Sequence, residues 1–120
     1  MDLISTAEEI IRKTREIEGL SRSLDGLAIE RASKAAEYEK DLASTILKLK
    51  NGIEFELDGE IVRNPPVTTM DKLARGICWR QRLESDVADL SYRNAMKRLD
   101  MLSGVLNAYQ SLHRYHGEVR

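Results

Sequence analysis

Residues 51–66 have the sequence Asn-Gly-Ile-Glu-Phe-Glu-Leu-Asp-Gly-Glu-Ile-Val-Arg-Asn-Pro-Pro, and this stretch decides the fold. Apolar residues alternate with glutamates from Ile53 to Leu57, which is the period of a β-strand with one buried face. Asp58-Gly59 follows, a dipeptide typical of the type I′ turn because both central positions of that turn need positive φ. The stretch therefore predicts a β-hairpin over about residues 53–63.

Counting outward from this turn sets the register of the hairpin. Phe55 lies opposite Val62 and Glu54 lies opposite Arg63, so one face is apolar and the other carries a pair of opposite charges. A two-stranded ribbon is only marginally stable in water, so it must lie on helices or extend a sheet with another chain. Pro65-Pro66 ends the second strand and blocks sheet extension, because proline cannot donate a ladder hydrogen bond.

The segment before the hairpin contains no proline, and small or apolar residues recur in it at steps of three and four. This heptad spacing, which is interrupted at Arg31 and Thr45, predicts a single helix over about residues 5–50 that is ended by Asn51-Gly52. Additional apolar residues flank the stripe, which makes it wide enough to pack against more than one helix. The positions of the stripe are Leu3, Ala7, Ile10, Thr14, Ile17, Ser21, Leu24, Ala28, Ala35, Tyr38, Leu42 and Leu49.

The segment after the hairpin predicts a second helix, over about residues 69–116. Thr68-Thr69-Met70-Asp71 is a plausible start, with a capping hydroxyl and a carboxylate in the first turn, and Gly117 is a plausible C-cap. The repeat slips between Trp79 and Leu90, where charged residues crowd in. The apolar set is Leu73, Ile77, Leu83, Val87, Leu90, Ala95, Leu99, Leu102, Leu106, Tyr109 and Leu112.

Together these elements predict a mainly α fold in a single domain, residues 1–120. The two helices form a long antiparallel, coiled-coil-like hairpin with the small β-hairpin at the connection. Because both stripes are wide, we expect two copies to assemble as a homodimeric helical bundle. The competing hypothesis is a compact monomer whose first helix breaks near Gly19 and Gly26, restarts from a cap at Ser23 or Asp25, and folds back.

Composition and charge narrow the classes of protein. The 120 residues carry 19 basic and 20 acidic side chains, which excludes a strongly basic nucleic-acid coat and a strongly acidic DNA mimic. Residues 1–70 hold ten basic and fourteen acidic side chains and residues 71–120 hold nine and six, so the two helices attract each other. A single cysteine, no signal-peptide pattern and no apolar stretch of about 20 residues predict a cytoplasmic protein without a membrane partner.

The sequence contains no motif for catalysis or for a cofactor. The seven glycines form no phosphate-binding loop. Cys78 and the two histidines lie more than thirty residues apart on the predicted second helix, so we interpret Cys78 as a small buried side chain. His113 and His116 share a helix face, but two ligands make no closed metal site. We expect no enzyme activity, no metal and no cofactor.

One basic patch is the candidate partner-binding site. Arg75, Trp79 and Arg82 are spaced i, i+4 and i+7 on one helix face, and Arg93 and Lys97 continue the stripe. Tryptophan and arginine are over-represented among the residues that dominate protein interfaces, and both also stack on bases. The patch therefore predicts a protein interface or, as an alternative, a nucleic-acid contact. A structural alternative is that Trp79 packs beneath the β-ribbon.

Two runs of the predicted second helix carry a resemblance. Residues 74–86, Ala-Arg-Gly-Ile-Cys-Trp-Arg-Gln-Arg-Leu-Glu-Ser-Asp, and residues 106–115, Leu-Asn-Ala-Tyr-Gln-Ser-Leu-His-Arg-Tyr, resemble short helical proteins of bacteriophages and prophages of Gram-positive bacteria. The resemblance implies a protein that binds and inhibits or redirects a host protein, such as a nuclease, replication or defence component, in the bacterial cytoplasm. The alternatives are a nucleic-acid-binding accessory protein and a structural coiled-coil spacer.

Overall fold

The computed structural model describes residues 2–118, which form three helices and one two-stranded ribbon. In chain order these are α1 (Leu3–Lys50), β1 (Phe55–Leu57), β2 (Glu60–Val62), α2 (Val67–Ile77) and α3 (Trp79–Glu118). The predicted mainly α helical hairpin with a small β-hairpin between its long helices is confirmed. Contacts within the chain divide it into two compact units. Unit 1 joins α1 up to Ala28 with α3 from Ser91 onward, and unit 2 comprises Ile29–Leu90. The single domain stays a prediction.

Helix α1 begins two residues earlier than predicted because Asp2 caps it. The Ser5 amide donates to Asp2 Oδ1 at 2.7 Å, and the Thr6 amide donates to the Asp2 carbonyl at 3.0 Å. A side-chain acceptor at this position satisfies an amide that has no partner inside the helix. The helix ends at Asn51-Gly52, as predicted, where Gly52 takes a φ of 78°.

No break interrupts α1 between Gly19 and Gly26. Ser23, the candidate cap of a second helix, instead donates its hydroxyl to the Leu20 carbonyl at 2.8 Å from inside the continuous helix. The hypothesis of a first helix that breaks near residue 25 and folds back is therefore wrong. Helix propensity explains why, since two isolated glycines cost about 2 kcal/mol in total and the long apolar stripe on either side outweighs that cost.

The Asp2 cap makes the start of α1 sensitive to acid. The hydrogen bond from the Ser5 amide holds the pKa of Asp2 below its ordinary value of 3.8. A carboxyl with a lowered folded-state pKa contributes stability above its unfolded pKa, and that contribution is lost as pH falls through the folded pKa. As the pH is lowered below 3.8, we expect the Ser5 amide to lose protection against hydrogen exchange. Asp2→Asn keeps an acceptor that does not titrate, so in this variant the protection of the Ser5 amide should not change over the same pH range. An equal loss of protection in the variant would show that titration of Asp2 is not its cause.

The β-ribbon has the predicted register and turn. Phe55 pairs with Val62. Asp58 and Gly59 have φ values of 50° and 81°, as a type I′ turn requires. A salt bridge joins Glu54 to Arg63. The ribbon packs on helices of its own unit, since Phe55 and Val62 lie against the core.

Helix α2 starts at Val67, not at the predicted Thr68–Asp71 cap, and that prediction is wrong. Pro66 stands at the capping position with a φ of −55°, which already suits helix entry, and no side chain caps the helix. Thr69 instead turns its hydroxyl to the Pro66 carbonyl at 3.2 Å. At the far end, α3 continues through Gly117 to Glu118, so Gly117 is a helical residue and not a cap.

The predicted second helix is two helices, because Cys78 interrupts it. Cys78 has a φ of −90° and a ψ of 24°. Hydrogen bonding continues across it, since its amide donates to the Ala74 carbonyl at 3.0 Å and the Arg82 amide donates to the Cys78 carbonyl at 3.1 Å. The backbone thus departs from helical geometry only at Cys78, and the i to i−4 hydrogen bonds on either side of this residue are kept.

The buried core of unit 2 lies where α1, α2 and the ribbon meet. Its centre is formed by Leu42 and Leu49 of α1 and by Met70 and Ala74 of α2. Partly buried side chains surround this centre: Tyr38, Ile46, Phe55, Val62 and Ile77. Among the residues of unit 1 that the structure describes, Thr6, Ala95 and Leu102 are buried.

Candidate functional site

Three of the five predicted partner-binding residues line one shallow groove of unit 2. Arg75, Trp79 and Arg82 border a volume of about 460 Å³ on α2 and α3, and its remaining walls are Lys72, Gly76, Leu83 and Asp86. Their i, i+4, i+7 spacing survives the interruption at Cys78 because hydrogen bonding continues through it. Arg93 and Lys97 lie further along α3, in unit 1, and are not among the groove residues.

Trp79 is the apolar centre of this groove. Its side chain is 55% exposed, so the alternative in which the β-ribbon buries it is wrong. The Arg80 guanidinium carbon lies 5.5 Å from the centroid of the indole ring, close enough for a cation–π contact. The ribbon packs on α2 instead, where Leu57 approaches Gly76 so closely that a Cβ there would lie 3.3 Å from its Cδ2.

Carboxylates balance the arginines of the groove. Arg75 Nε lies 3.1 Å from Asp71 Oδ2, and Arg82 Nε lies 3.9 Å from Asp86 Oδ2. Both pairs are spaced i, i+4 on the helix, and all four side chains are exposed. Exposed pairs of this kind contribute little to stability, so each arginine remains able to exchange its partner. The groove is therefore less basic than the spacing of its arginines suggests.

Four large apolar side chains near the start of α3 face outward, which was not predicted from the sequence. Trp79, Leu83, Val87 and Leu90 are 55%, 52%, 54% and 56% exposed. Their spacing of four, four and three residues places them along one side of the helix. We call this set the outer stripe. Leu83, Val87 and Leu90 were predicted to lie on the buried side of the helix, and that prediction is wrong.

The inward side of α3 beside the outer stripe carries small and polar residues. Gln81 and Ser85 are partly buried and Ala88 is buried. These three positions lie about half a helical turn from the outer stripe. Together with neighbours on both sides they continue an unbroken series of steps of four and three residues, namely Ala74, Cys78, Gln81, Ser85, Ala88, Tyr92, Ala95, Leu99 and Leu102. This unbroken spacing indicated the inward side of the helix, but between residues 74 and 88 the residues of the series are small or polar, whereas the predicted apolar set follows the large side chains there.

Ion pairs between α1 and α3 accompany these small residues. Arg31 Nε lies 2.6 Å from Asp89 Oδ1, and Lys34 Nζ lies 3.6 Å from Glu84 Oε2. The pKa of Lys34 is raised, first by its hydrogen bond to Glu37 and by the charge of Glu37, and further by Glu84. Over residues 79–90 the usual order is therefore inverted, with charged and small side chains toward α1 and large apolar ones toward solvent.

Cys78 is buried away from the groove, as predicted. It is 2% exposed, and its Sγ lies 3.3 Å from the Thr45 hydroxyl, which is also buried. Thr45, where the apolar stripe of the first helix is interrupted, thus faces a weakly polar partner in the core. This contact satisfies a buried hydroxyl and leaves the thiol inaccessible.

His113 lines a second groove, in unit 1. This groove has a volume of about 570 Å³ and is bordered by Ala7, Ile10, Ile11, Gln110, His113 and Arg114. The walls are mainly aliphatic, and within residues 2–118 no three His, Cys, Asp or Glu side chains are grouped so that they could hold a metal ion. The absence of a metal site from the whole chain stays a prediction.

No protein-family model, curated protein or solved structure matches this sequence. Of the helices in residues 2–118, none has the length and apolar character to cross a bilayer. The function is accordingly inferred from the surface of unit 2, where the outer stripe and the Trp79 groove share Trp79 and Leu83.

Proposed function

We propose that the chain is a non-catalytic protein-binding module that contacts a partner protein through the outer stripe. The inversion of residues 79–90 is the observation that carries this proposal. Burial of apolar surface contributes about 25 cal/mol per Å². Four large side chains that stay about half exposed in the folded chain therefore keep apolar surface whose burial would still be favourable. A partner protein that covers these side chains gains this free energy on binding, which is why contiguous exposed apolar patches mark interaction sites.

The composition of the surface also fits a protein partner. Interfaces tend to have an apolar, often aromatic centre and a polar rim. Trp79 and Leu83 supply the centre, and the Arg82–Asp86 and Arg75–Asp71 pairs supply a rim of both charges. A rim of this kind suits recognition by charge complementarity more than attraction to a uniformly charged polymer.

The resemblance to phage proteins supports a narrower form of the proposal. In that form the module inhibits or redirects a host nuclease, replication or defence protein inside a bacterial cell. The exposed face of the ribbon end of unit 2 offers a second apolar surface for such a protein, since Ile61 is 69% exposed and Val67 is 81% exposed.

Nucleic-acid binding is less favoured, because a phosphate would have to compete with Asp71 for Arg75 and with Asp86 for Arg82. A mobility-shift titration at low and high salt tests it. A shift that disappears steeply with salt would support phosphate contacts and contradict a protein-binding role for the groove.

Affinity capture tests the protein-binding role directly. The tagged chain is used as bait in a bacterial lysate that also contains an untagged copy. We expect Trp79→Ala combined with Leu83→Asp to reduce the captured protein by at least about thirtyfold, because aromatic interface centres commonly contribute about 2 kcal/mol or more. Mass spectrometry of the eluate, with helicity checked by circular dichroism, measures the change.

Leu47→Asp is the matched control. Leu47 is 62% exposed on α1, so its substitution adds the same charge to an exposed apolar position outside the outer stripe. Capture should be unaffected in this variant. Protein capture that survives the Trp79→Ala and Leu83→Asp changes, or that is lost equally in the control, would show that the outer stripe is not the contact surface.

A further inference from the structure

We infer that the partner on the outer stripe is a second copy of the same chain, with the two α3 helices antiparallel across a two-fold axis. This inference rests on the proposed function and names the occupant of the same surface. Three properties of residues 79–90 support it, namely the position of the apolar residues along the helix, the distribution of charge beside them, and the limited size of the stripe.

The outer stripe is laid out in a way that suits antiparallel self-pairing. It begins at Trp79 and ends at Leu90, so its midpoint lies between residues 84 and 85. A two-fold axis at that midpoint places Trp79 beside Leu90 of the second copy and, to within one residue, Leu83 beside Val87 of the second copy. Every large apolar residue of the stripe then meets another one, as the contact positions of paired helices require.

Charge beside the stripe is complementary to itself under the same axis. Arg82 and Asp86 lie on one flank of the stripe, and their side chains are 60% and 71% exposed. The midpoint between them is residue 84, within one residue of the midpoint of the stripe. In an antiparallel pair each Arg82 therefore faces Asp86 of the other copy, forming two equivalent ion pairs.

In a parallel pair the two-fold axis runs along the helices and places the flank that carries Arg82 and Asp86 on opposite sides of the interface in the two copies, so neither residue would face its counterpart of opposite charge. The intrachain distance of 3.9 Å between Arg82 Nε and Asp86 Oδ2 leaves both groups able to change partners. A surface that meets a different protein has no need of such internal complementarity. The charge order along α3 therefore favours the antiparallel second copy over both alternatives.

The size of the stripe indicates a weak, reversible dimer. Four side chains per copy form a contact at the small end of specific interfaces, where association is transient. We expect sedimentation equilibrium of the purified full-length chain to show a monomer–dimer equilibrium in the micromolar range.

Reversal of one charge at a time tests the arrangement. Arg82→Asp places two carboxylates opposite each other in the antiparallel pair, and Asp86→Arg places two guanidinium groups opposite each other. Each variant alone should dimerise at least about tenfold more weakly than the natural chain. An equimolar mixture of the two should regain dimerisation, because in the heterodimer residue 82 of each chain faces a residue 86 of opposite charge, so both contacts are attractive and the repulsion of each homodimer is relieved. Recovery on mixing cannot arise from a variant that merely fails to fold.

Arg98→Asp is the control, since Arg98 is exposed on α3 beyond the outer stripe. This variant should dimerise like the natural chain. A purified chain that stays monomeric at high micromolar concentration, while lysate capture still depends on Trp79 and Leu83, would overturn the second copy and leave the proposed function intact. A dimer that is insensitive to both charge reversals would overturn the antiparallel pairing. Monomer behaviour together with capture that does not depend on the stripe would overturn both.

Discussion

Replacement of Leu49 by alanine is expected to lower the free energy of unfolding by about 2–5 kcal/mol. Leu49 is fully buried at the end of α1, in the core that it forms with Leu42, Met70 and Ala74. The substitution removes the transfer free energy of its methyl and methylene groups, and it leaves a cavity that helices held by a ribbon can close only in part. Urea denaturation followed by circular dichroism measures the loss.

Leu47→Ala provides the matched control for this prediction. Leu47 lies two residues earlier in the same helix and is 62% exposed. Its truncation removes the same atoms from a position where they pack little, so the change should stay within about 0.5 kcal/mol. Equal losses in the two variants would mean that the core of unit 2 does not centre on Leu49.

A change in the opposite direction, Ala74→Leu, is expected to lower the free energy of unfolding by about 1–3 kcal/mol. Ala74 is fully buried in α2 and belongs to the same core. Two residues later in that helix, Leu57 of the ribbon approaches Gly76 closely. A larger side chain at residue 74 must therefore displace neighbours that have little room to move.

Ala108→Leu tests whether this loss comes from crowding, because residue 108 is exposed on α3. Alanine and leucine differ little in helix propensity, so the control should be nearly neutral. Thermal unfolding of both variants in the same buffer compares them. A stabilised Ala74→Leu variant would show that the core holds unfilled space at that position.

The ribbon could be predicted in full because its signals are local. Asp58-Gly59 selects the turn, and the turn determines which residues are opposite each other on the two strands. For α1 the sequence left two possibilities open, a continuous helix and a helix that breaks near its two glycines. Helix propensity does not include the tertiary packing that decides between these two possibilities. The first residues of the helices were harder to predict from the sequence, because Pro66 starts α2 through its backbone geometry and Asp2 starts α1 through one hydrogen bond.

The candidate site was predicted in part. Helical spacing was enough to bring Arg75, Trp79 and Arg82 into one groove. The outer stripe was not predicted because large apolar residues are usually assigned to the interior, whereas the four residues of the stripe are each more than half exposed. The true inward positions at Gln81 and Ser85 are recognisable only by their unbroken spacing, since neither residue is apolar.

The ion pairs Arg31–Asp89 and Lys34–Glu84 have a consequence for alignment. Small side chains such as Ser85 and Ala88 fit against a facing helix in many positions, so by themselves they would let α1 slide along α3. A slide of one heptad in one direction would move Arg31 from the level of Asp89 to that of Arg82, exchanging attraction for repulsion. The two ion pairs thus specify the register of α1 against α3 over these residues, which the contact between small side chains does not specify alone.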